Sequence, residues 1–273
     1  MTGRLIVSPH LDDAVLSCWH AMAAASEPAT VVTLFAGLPD AAAKLAPWDS
    51  VSGATDPAAQ MRRRRMEDEA ALEACGARFV HCEFRDDQYR GWVRPRQALI
   101  DRLGELAEDA DEVWLPAGIG GHPDHVLAAE AALSATVGRR RVLYADLPYA
   151  ARGWAATHGA DPRSSTGRKR FRELVRAAMI ASPYAPGCPP TSYRLSGPEQ
   201  DAKRSCLEEY QSQLPALTRA HTEWWQNPEM FGWEWWWPLD VRVSSSVVMR
   251  VRGGWGHWSV CRMRRRWGQW SAR

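Results

Sequence analysis

Short apolar runs alternate with helix-length amphipathic segments through the first half of the chain. Leu5-Ile6-Val7 reads as a buried strand and Ala14 to Trp19 as the opening turns of a helix over about Asp13 to Ala25. Thr30 to Phe35 is a second strand. The next helix runs from Pro57, a favoured first-turn residue, to Cys75, with Gly76 just past its end. Arg78 to Cys82 is a third strand, and Pro95 to Glu108 a helix with Leu99, Ile100, Leu103 and Leu106 on one face. Glu112 to Leu115 is the fourth strand, a helix after His122 carries Val126, Leu127, Ala131 and Leu133, and Arg141 to Ala145 is the fifth. This alternation predicts an α/β fold of Rossmann-like, three-layer α/β/α type, with a mostly parallel sheet and right-handed crossovers.

From about Trp154 the texture changes. His158 to Lys169 and Ser182 to Pro198 read as loops, and Glu199 to Leu214 as a helix ended by Pro215. Tryptophan then dominates, from Trp224 and Trp225 through Trp233, Trp235, Trp236 and Trp237 to Trp255, Trp258, Trp267 and Trp270. Most of these rings are expected in structural roles, with some near Phe231-Gly232-Trp233 lining a site. Val241 to Val251 alternates like a strand or hairpin. The expected organisation is one catalytic domain over 1–240 and a Trp-rich C-terminal extension over 241–273, a tail or dimer contact.

Composition narrows the class. With 45% hydrophobic and 24% charged residues, the 273-residue chain can bury an ordinary core. A net charge of +2 tells against a dedicated nucleic-acid partner, and the arginine runs 62–65 and 262–266 read as solvated faces. Six scattered cysteines without a Cys-x-x-Cys pair suit reduced thiols. No stretch approaches the apolar length of a membrane span, and no secretory leader is read at Met1 to Arg4, so the expectation is cytoplasmic.

The chemistry lies at two strand-to-helix turns. Ser8-Pro9-His10-Leu11-Asp12-Asp13 follows the first strand, and Gly121-His122-Pro123-Asp124-His125 follows the fourth. Open α/β sheets bind ligands in that crevice. No glycine occurs in Ser8 to Asp13, which tells against a dinucleotide. Gly118-Ile119-Gly120-Gly121 suits a tight turn better than a phosphate cradle. A hydrolytic metal site wants three nitrogen or oxygen ligands and an open position, and His10, Asp13 and His125 supply such a set. Zinc is the expected ion, with Fe(II) or Co(II) compatible. Asp12 is then placed as the base that takes a proton from the activated water. His122, held by Asp124 as an imidazolium, would stabilise an oxyanion. Either aspartate could instead cap its helix, but two such turns together favour the metal.

These motifs resemble the two signatures of the PIG-L/LmbE-like zinc-dependent N-deacetylases, over about residues 4–150 and more loosely over 199–240. Pro9 and Leu11 depart from the common Ala-His-Pro-Asp-Asp form, leaving every ligand in place. The resemblance implies removal of acetyl from an N-acetylglucosamine-type amino sugar, in antibiotic or thiol-cofactor biosynthesis, with the metal ligands and base as above. It also implies that an arginine of the run 62–65, with Arg65 in Arg65-Met66-Glu67-Asp68 as the candidate and the inward member of the run left open, contacts the sugar together with Asp86, in Arg85-Asp86-Asp87-Gln88-Tyr89-Arg90, either being otherwise a surface ion-pair residue. An amidase of a thiol conjugate or a lipid-linked antibiotic is the alternative, and a non-catalytic sugar- or metal-binding protein a further one.

Overall fold

The computed structural model describes residues 3–151 and 190–239, together with Thr166, Lys169, Glu173 and Tyr184. Its strands are β1 (Gly3–Ser8), β2 (Thr30–Thr33), β3 (Arg78–His81), β4 (Ala110–Pro116), β5 (Arg140–Tyr144), β6 (Thr191–Arg194) and β7 (Trp233–Leu239). They form one sheet in the order β3-β2-β1-β4-β5-β7-β6. β7 runs antiparallel to both its neighbours, and the other pairings are parallel. Ile6, Val7, Val31, Val32, Val113 and Leu115 are fully buried, as parallel strands covered on both faces require. The fold is three-layer α/β/α.

The described helices are α1 (Asp13–Ala23), α2 (Pro47–Val51), α3 (Pro57–Ala74), α4 (Asp87–Arg90), α5 (Arg96–Leu106), α6 (Pro123–Ala135), α7 (Gly197–Glu208), α8 (Leu214–Ala220), α9 (Thr222–Gln226) and α10 (Pro228–Phe231). From β1 the chain steps outward through α1 and α3 to β2 and β3. It then returns through α5 and α6 to β4 and β5. Right-handed crossovers place these two helix pairs on opposite faces of the sheet. α7 packs on α1 and α3, while α5 packs on α6. The strand order therefore reverses between β1 and β4, whose C-terminal ends carry the two polar motifs.

The second half differs from the pattern reading. Helix α7 stops at Glu208 rather than running to Leu214, and Pro215 opens α8 instead of terminating its predecessor. Proline lacks the N–H that a first turn leaves unpaired anyway, so it starts a helix as readily as it stops one. The Trp-rich run is a strand, β7, with Trp235 and Trp237 buried in the core beside Trp224. β6 lies inside what read as a proline-rich loop. A buried ion pair fastens this half to the first. Lys203 Nζ donates to Glu234 Oε1 and to the Leu16 carbonyl, each at 2.8 Å, and Glu234 Oε2 accepts the His20 amide at 3.0 Å. The expected strand at Val241 to Val251, the tail beyond it and most of the two expected loops lie outside the described residues.

Candidate active site

Residues 8–13 turn sharply at the end of β1, and Ser8 organises the turn. Its hydroxyl donates to the His10 carbonyl at 2.7 Å and accepts the Ala14 amide at 3.1 Å. Ser8 thus does the work expected of a capping carboxylate, and the Asp12 side chain makes no cap hydrogen bond. Asp13 Oδ2 accepts the His10 amide at 2.8 Å. The same oxygen lies 3.2 Å from His10 Nδ1 and 3.2 Å from His125 Nε2, which arrives from the first turn of α6. Capping thus accounts for neither aspartate.

Each imidazole is held from behind by a buried carboxylate. His125 Nδ1 lies 2.6 Å from Asp146 Oδ1, and His10 Nε2 lies 3.0 Å from Asp124 Oδ2. Asp146, just beyond β5, also accepts the Ile119 amide at 2.8 Å. Histidine ligands of a metal commonly carry such outer carboxylates, which fix the ring and raise its basicity. His125 Nε2 is buried and, among the described residues, has no aligned hydrogen-bond partner, so a metal would satisfy it. The nitrogen–oxygen–nitrogen donors of His10, Asp13 and His125 lie within 4.8 Å of one another and form a divalent-metal site suited to zinc. His10, His122 and Asp124 also cluster within that distance. Asp124, however, is already engaged by His10, by Arg90 Nη2 at 2.5 Å and by the Asp87 amide at 2.9 Å, which makes it an outer carboxylate.

The charges follow from these contacts. Burial pushes His10 and His125 down, but the facing carboxylates prevail, raising His10 and lifting His125 to about 9. Burial pushes Asp13 up, yet the two imidazoles hold it well below the usual carboxylate range. Asp12 has the opposite balance. Burial and the adjacent Asp13 charge raise it to about 7, against smaller opposing effects of His10 and Arg64. A buried carboxylate with that affinity for protons is fitted to accept one at neutral pH.

His122 departs from expectation. The Asp124 carboxylate faces His10 and Arg90, and His122 instead receives the Asp124 backbone N–H on Nδ1 at 3.2 Å. Burial, with the His10 and His125 charges, lowers its pKa to about 3. His122 is therefore a neutral ring whose Nδ1 is an acceptor, which leaves Nε2 as the protonated nitrogen and hydrogen-bond donor.

The PIG-L family model, described as GlcNAc-PI de-N-acetylase, matches residues 5–136. A 2'-N-acetylparomamine deacetylase of Streptomyces fradiae is 31% identical over 200 residues, covering 65% of this chain and 69% of the relative. The chain belongs to the PIG-L family. Among solved structures, the deacetylase triple mutant of the teicoplanin biosynthetic pathway is 27% identical, covers 87% of this chain and 97% of its own, and superposes with a TM-score of 0.66. The A40926 pseudoaglycone deacetylase is 26% identical, covers 88% and 98%, and gives a TM-score of 0.64. With its metal-ligating cluster, this PIG-L protein is a hydrolase of the deacetylase class.

Within the PIG-L framework the structure brings in residues that motif reading passed over. Arg65 is half-buried and pairs with the exposed Glu83. Its neighbour Arg64 is buried, forms an ion pair with Asp49 at 2.5 Å, and bears electrostatically on both Asp12 and Asp86. Among the described residues, Arg64 Nε and Nη2 have no aligned hydrogen-bond acceptor. Asp86 caps α4, taking the Gln88 amide at 3.0 Å and the Gln88 side-chain amide at 2.9 Å, and its pKa is raised by burial. Aromatic surroundings come from Tyr149, whose ring lies 5.1 Å from that of His125, and from Phe35, 6.0 Å from His10. The Gly118–Gly121 loop is a tight turn. Gly120 has φ +86°, and a Cβ there would meet Tyr149 Cβ at 3.0 Å and its ring at 3.1 Å. No described helix is long and apolar enough to cross a membrane.

Proposed function

We propose that this protein hydrolyses the acetamide of an N-acetyl amino sugar in an antibiotic-type precursor, releasing acetate and the free amine. His10, Asp13 and His125 would hold a zinc ion. When bound, that ion supplies the positive charge that acidifies a water and polarises the acetamide carbonyl. Asp12 accepts the water's proton as its oxygen attacks the carbonyl carbon. His122 Nε2–H donates to the carbonyl oxygen as negative charge builds there. Asp12 then returns the proton to the nitrogen as the C–N bond breaks, so that acetate and amine leave in balance. Arg64, held by its ion pair with Asp49, and Asp86 would bind sugar hydroxyls or the acyl oxygen.

The observation that carries this reading is Asp12, a buried carboxylate freed from capping, beside a nitrogen–oxygen–nitrogen donor set. The named substrates of the relatives, 2'-N-acetylparomamine and the A40926 pseudoaglycone, support an antibiotic precursor. The test is acetate release from a panel of N-acetylated amino sugars, free and glycosidically linked, with and without chelator. Chelator-sensitive release supports the reading. Release confined to N-acyl amino acids or thiol conjugates would replace it with the amidase alternative.

A further inference from the structure

Arg90 lies outside the proposed reaction, yet its guanidinium reaches the metal site's outer layer. The side chain is nearly buried and spends its donors in two directions. Nε donates to the Val93 carbonyl and Nη1 to the Arg85 carbonyl, each at 2.8 Å, so the 85–93 loop wraps around the guanidinium. Nη2 donates to Asp124 Oδ1 at 2.5 Å. The other Asp124 oxygen takes His10 Nε2 at 3.0 Å and the Asp87 amide, from the same loop, at 2.9 Å. The guanidinium carbon stands 4.8 Å from the Phe35 ring centroid, and that ring lies 6.0 Å from the His10 ring. Arg90 is therefore where the loop, the outer carboxylate and one metal-ligating imidazole meet.

Two features make this more than a surface latch. Asp124 is fully buried, so without Arg90 it would keep a buried negative charge balanced only by neutral donors and the His10 ring. Arginine's planar fork serves two backbone carbonyls and a carboxylate at once, a set lysine cannot match. We propose that Arg90 is a positioning residue that clamps the 85–93 loop to Asp124 and thereby holds His10 in its metal-binding orientation. Metal occupancy and order in the loop are then coupled. Asp86 stands at the head of this loop, so a substrate gripped there tightens the same clamp. The inference rests on the metal-site assignment and not on the identity of the substrate.

The experiment measures zinc affinity by competition with a chromophoric chelator for the full-length wild type, Arg90→Met and Arg90→Lys. Hydrogen–deuterium exchange of the peptide spanning 85–94 is followed with and without zinc. Outer-layer partners are typically worth about 10–100-fold in metal affinity. Arg90→Met is expected to lose that much, with Arg90→Lys intermediate because charge returns without the fork. In the wild type zinc should slow exchange at the Asp87 amide, and in Arg90→Met that protection should vanish. Unchanged zinc affinity in an Arg90→Met protein with a wild-type circular dichroism spectrum and a faster-exchanging loop would reduce Arg90 to a loop fastener and overturn the proposal. Should Arg90→Met not fold, Arg90→Lys decides, since zinc affinity and zinc-induced protection equal to wild type overturn it equally. A wild-type protein that takes up no zinc removes the metal site and this proposal together.

Discussion

Loading zinc into this site must expel protons, and the geometry says roughly how many. In the metal-free protein His125 is held at about 9 because Asp13 and Asp146 flank it and outweigh its burial. At pH 7 it therefore carries about one proton, on the nitrogen that zinc needs. Displacing a proton from a group about two units above ambient pH costs about 2.7 kcal/mol, roughly a 100-fold loss of apparent affinity. His10 is raised by Asp124 and Asp13 against its own desolvation and adds a second proton. Asp13 lies far below neutrality and adds none. The sign follows: the free protein binds more protons than the loaded one, so apparent zinc affinity climbs with pH until His125 deprotonates near 9. Calorimetric zinc titrations at pH 7, in buffers of different ionisation enthalpy, count the protons directly. The expected release is about one to two protons per zinc, with log affinity rising by at least about one per pH unit between pH 6 and 8. Affinity flat over that range, or release below about half a proton, would refute the carboxylate-held imidazoles that the structure shows.

Other perturbations separate roles that lie close together. Asp12→Asn should lower kcat by about 10²–10⁴-fold while leaving zinc binding in place; full activity would remove Asp12 from the reaction. The same variant should stabilise the metal-free fold at pH 8. A carboxyl raised from its ordinary range to about 7 favours the protonated folded form, so stability falls as pH climbs from about 4 to 7, by at most on the order of 4 kcal/mol. Denaturant melts at pH 5 and pH 8 show whether the gain is larger at the higher pH. Arg64→Ala should cost about 10–100-fold in kcat/KM, the worth of a charged hydrogen bond, whereas Arg65→Ala should stay within about twofold. Equal losses would mean that Arg64 is not the arginine that serves the site. Lys203→Met should cost about 3–5 kcal/mol of stability by leaving Glu234 charged and buried; a urea midpoint like that of wild type would show the ion pair to be dispensable.

What sequence pattern reveals here depends on how far a residue's role is set by its own neighbours. His10, Asp12, Asp13, His122 and His125 sit directly after apolar runs that can only be central strands, so their convergence follows from the sheet's order alone. Asp146 occupies the equivalent position after β5 and was passed over, because a lone aspartate followed by Leu147-Pro148 carries no motif. The end-of-strand rule applied to β5 would have found it. The choice among four consecutive arginines is a question of helical phase. Stepping back from buried Leu72 by one turn at a time gives Asp68, Arg64 and Gln60, all buried, so the inward arginine was readable from the period although the motif pointed to Arg65. Asp124 is different. Its neighbours in sequence suggest a partner for His122, and only the fold reveals that Arg90, from a loop leading off β3, draws the carboxylate toward His10. β7 escaped for another reason: tryptophan signals a strand, a core or a sugar platform equally, and what decides is pairing with β5 and β6, which no local window contains. The ligand set is thus local to strand ends, whereas the groups that hold each ligand in place come from other strands and loops.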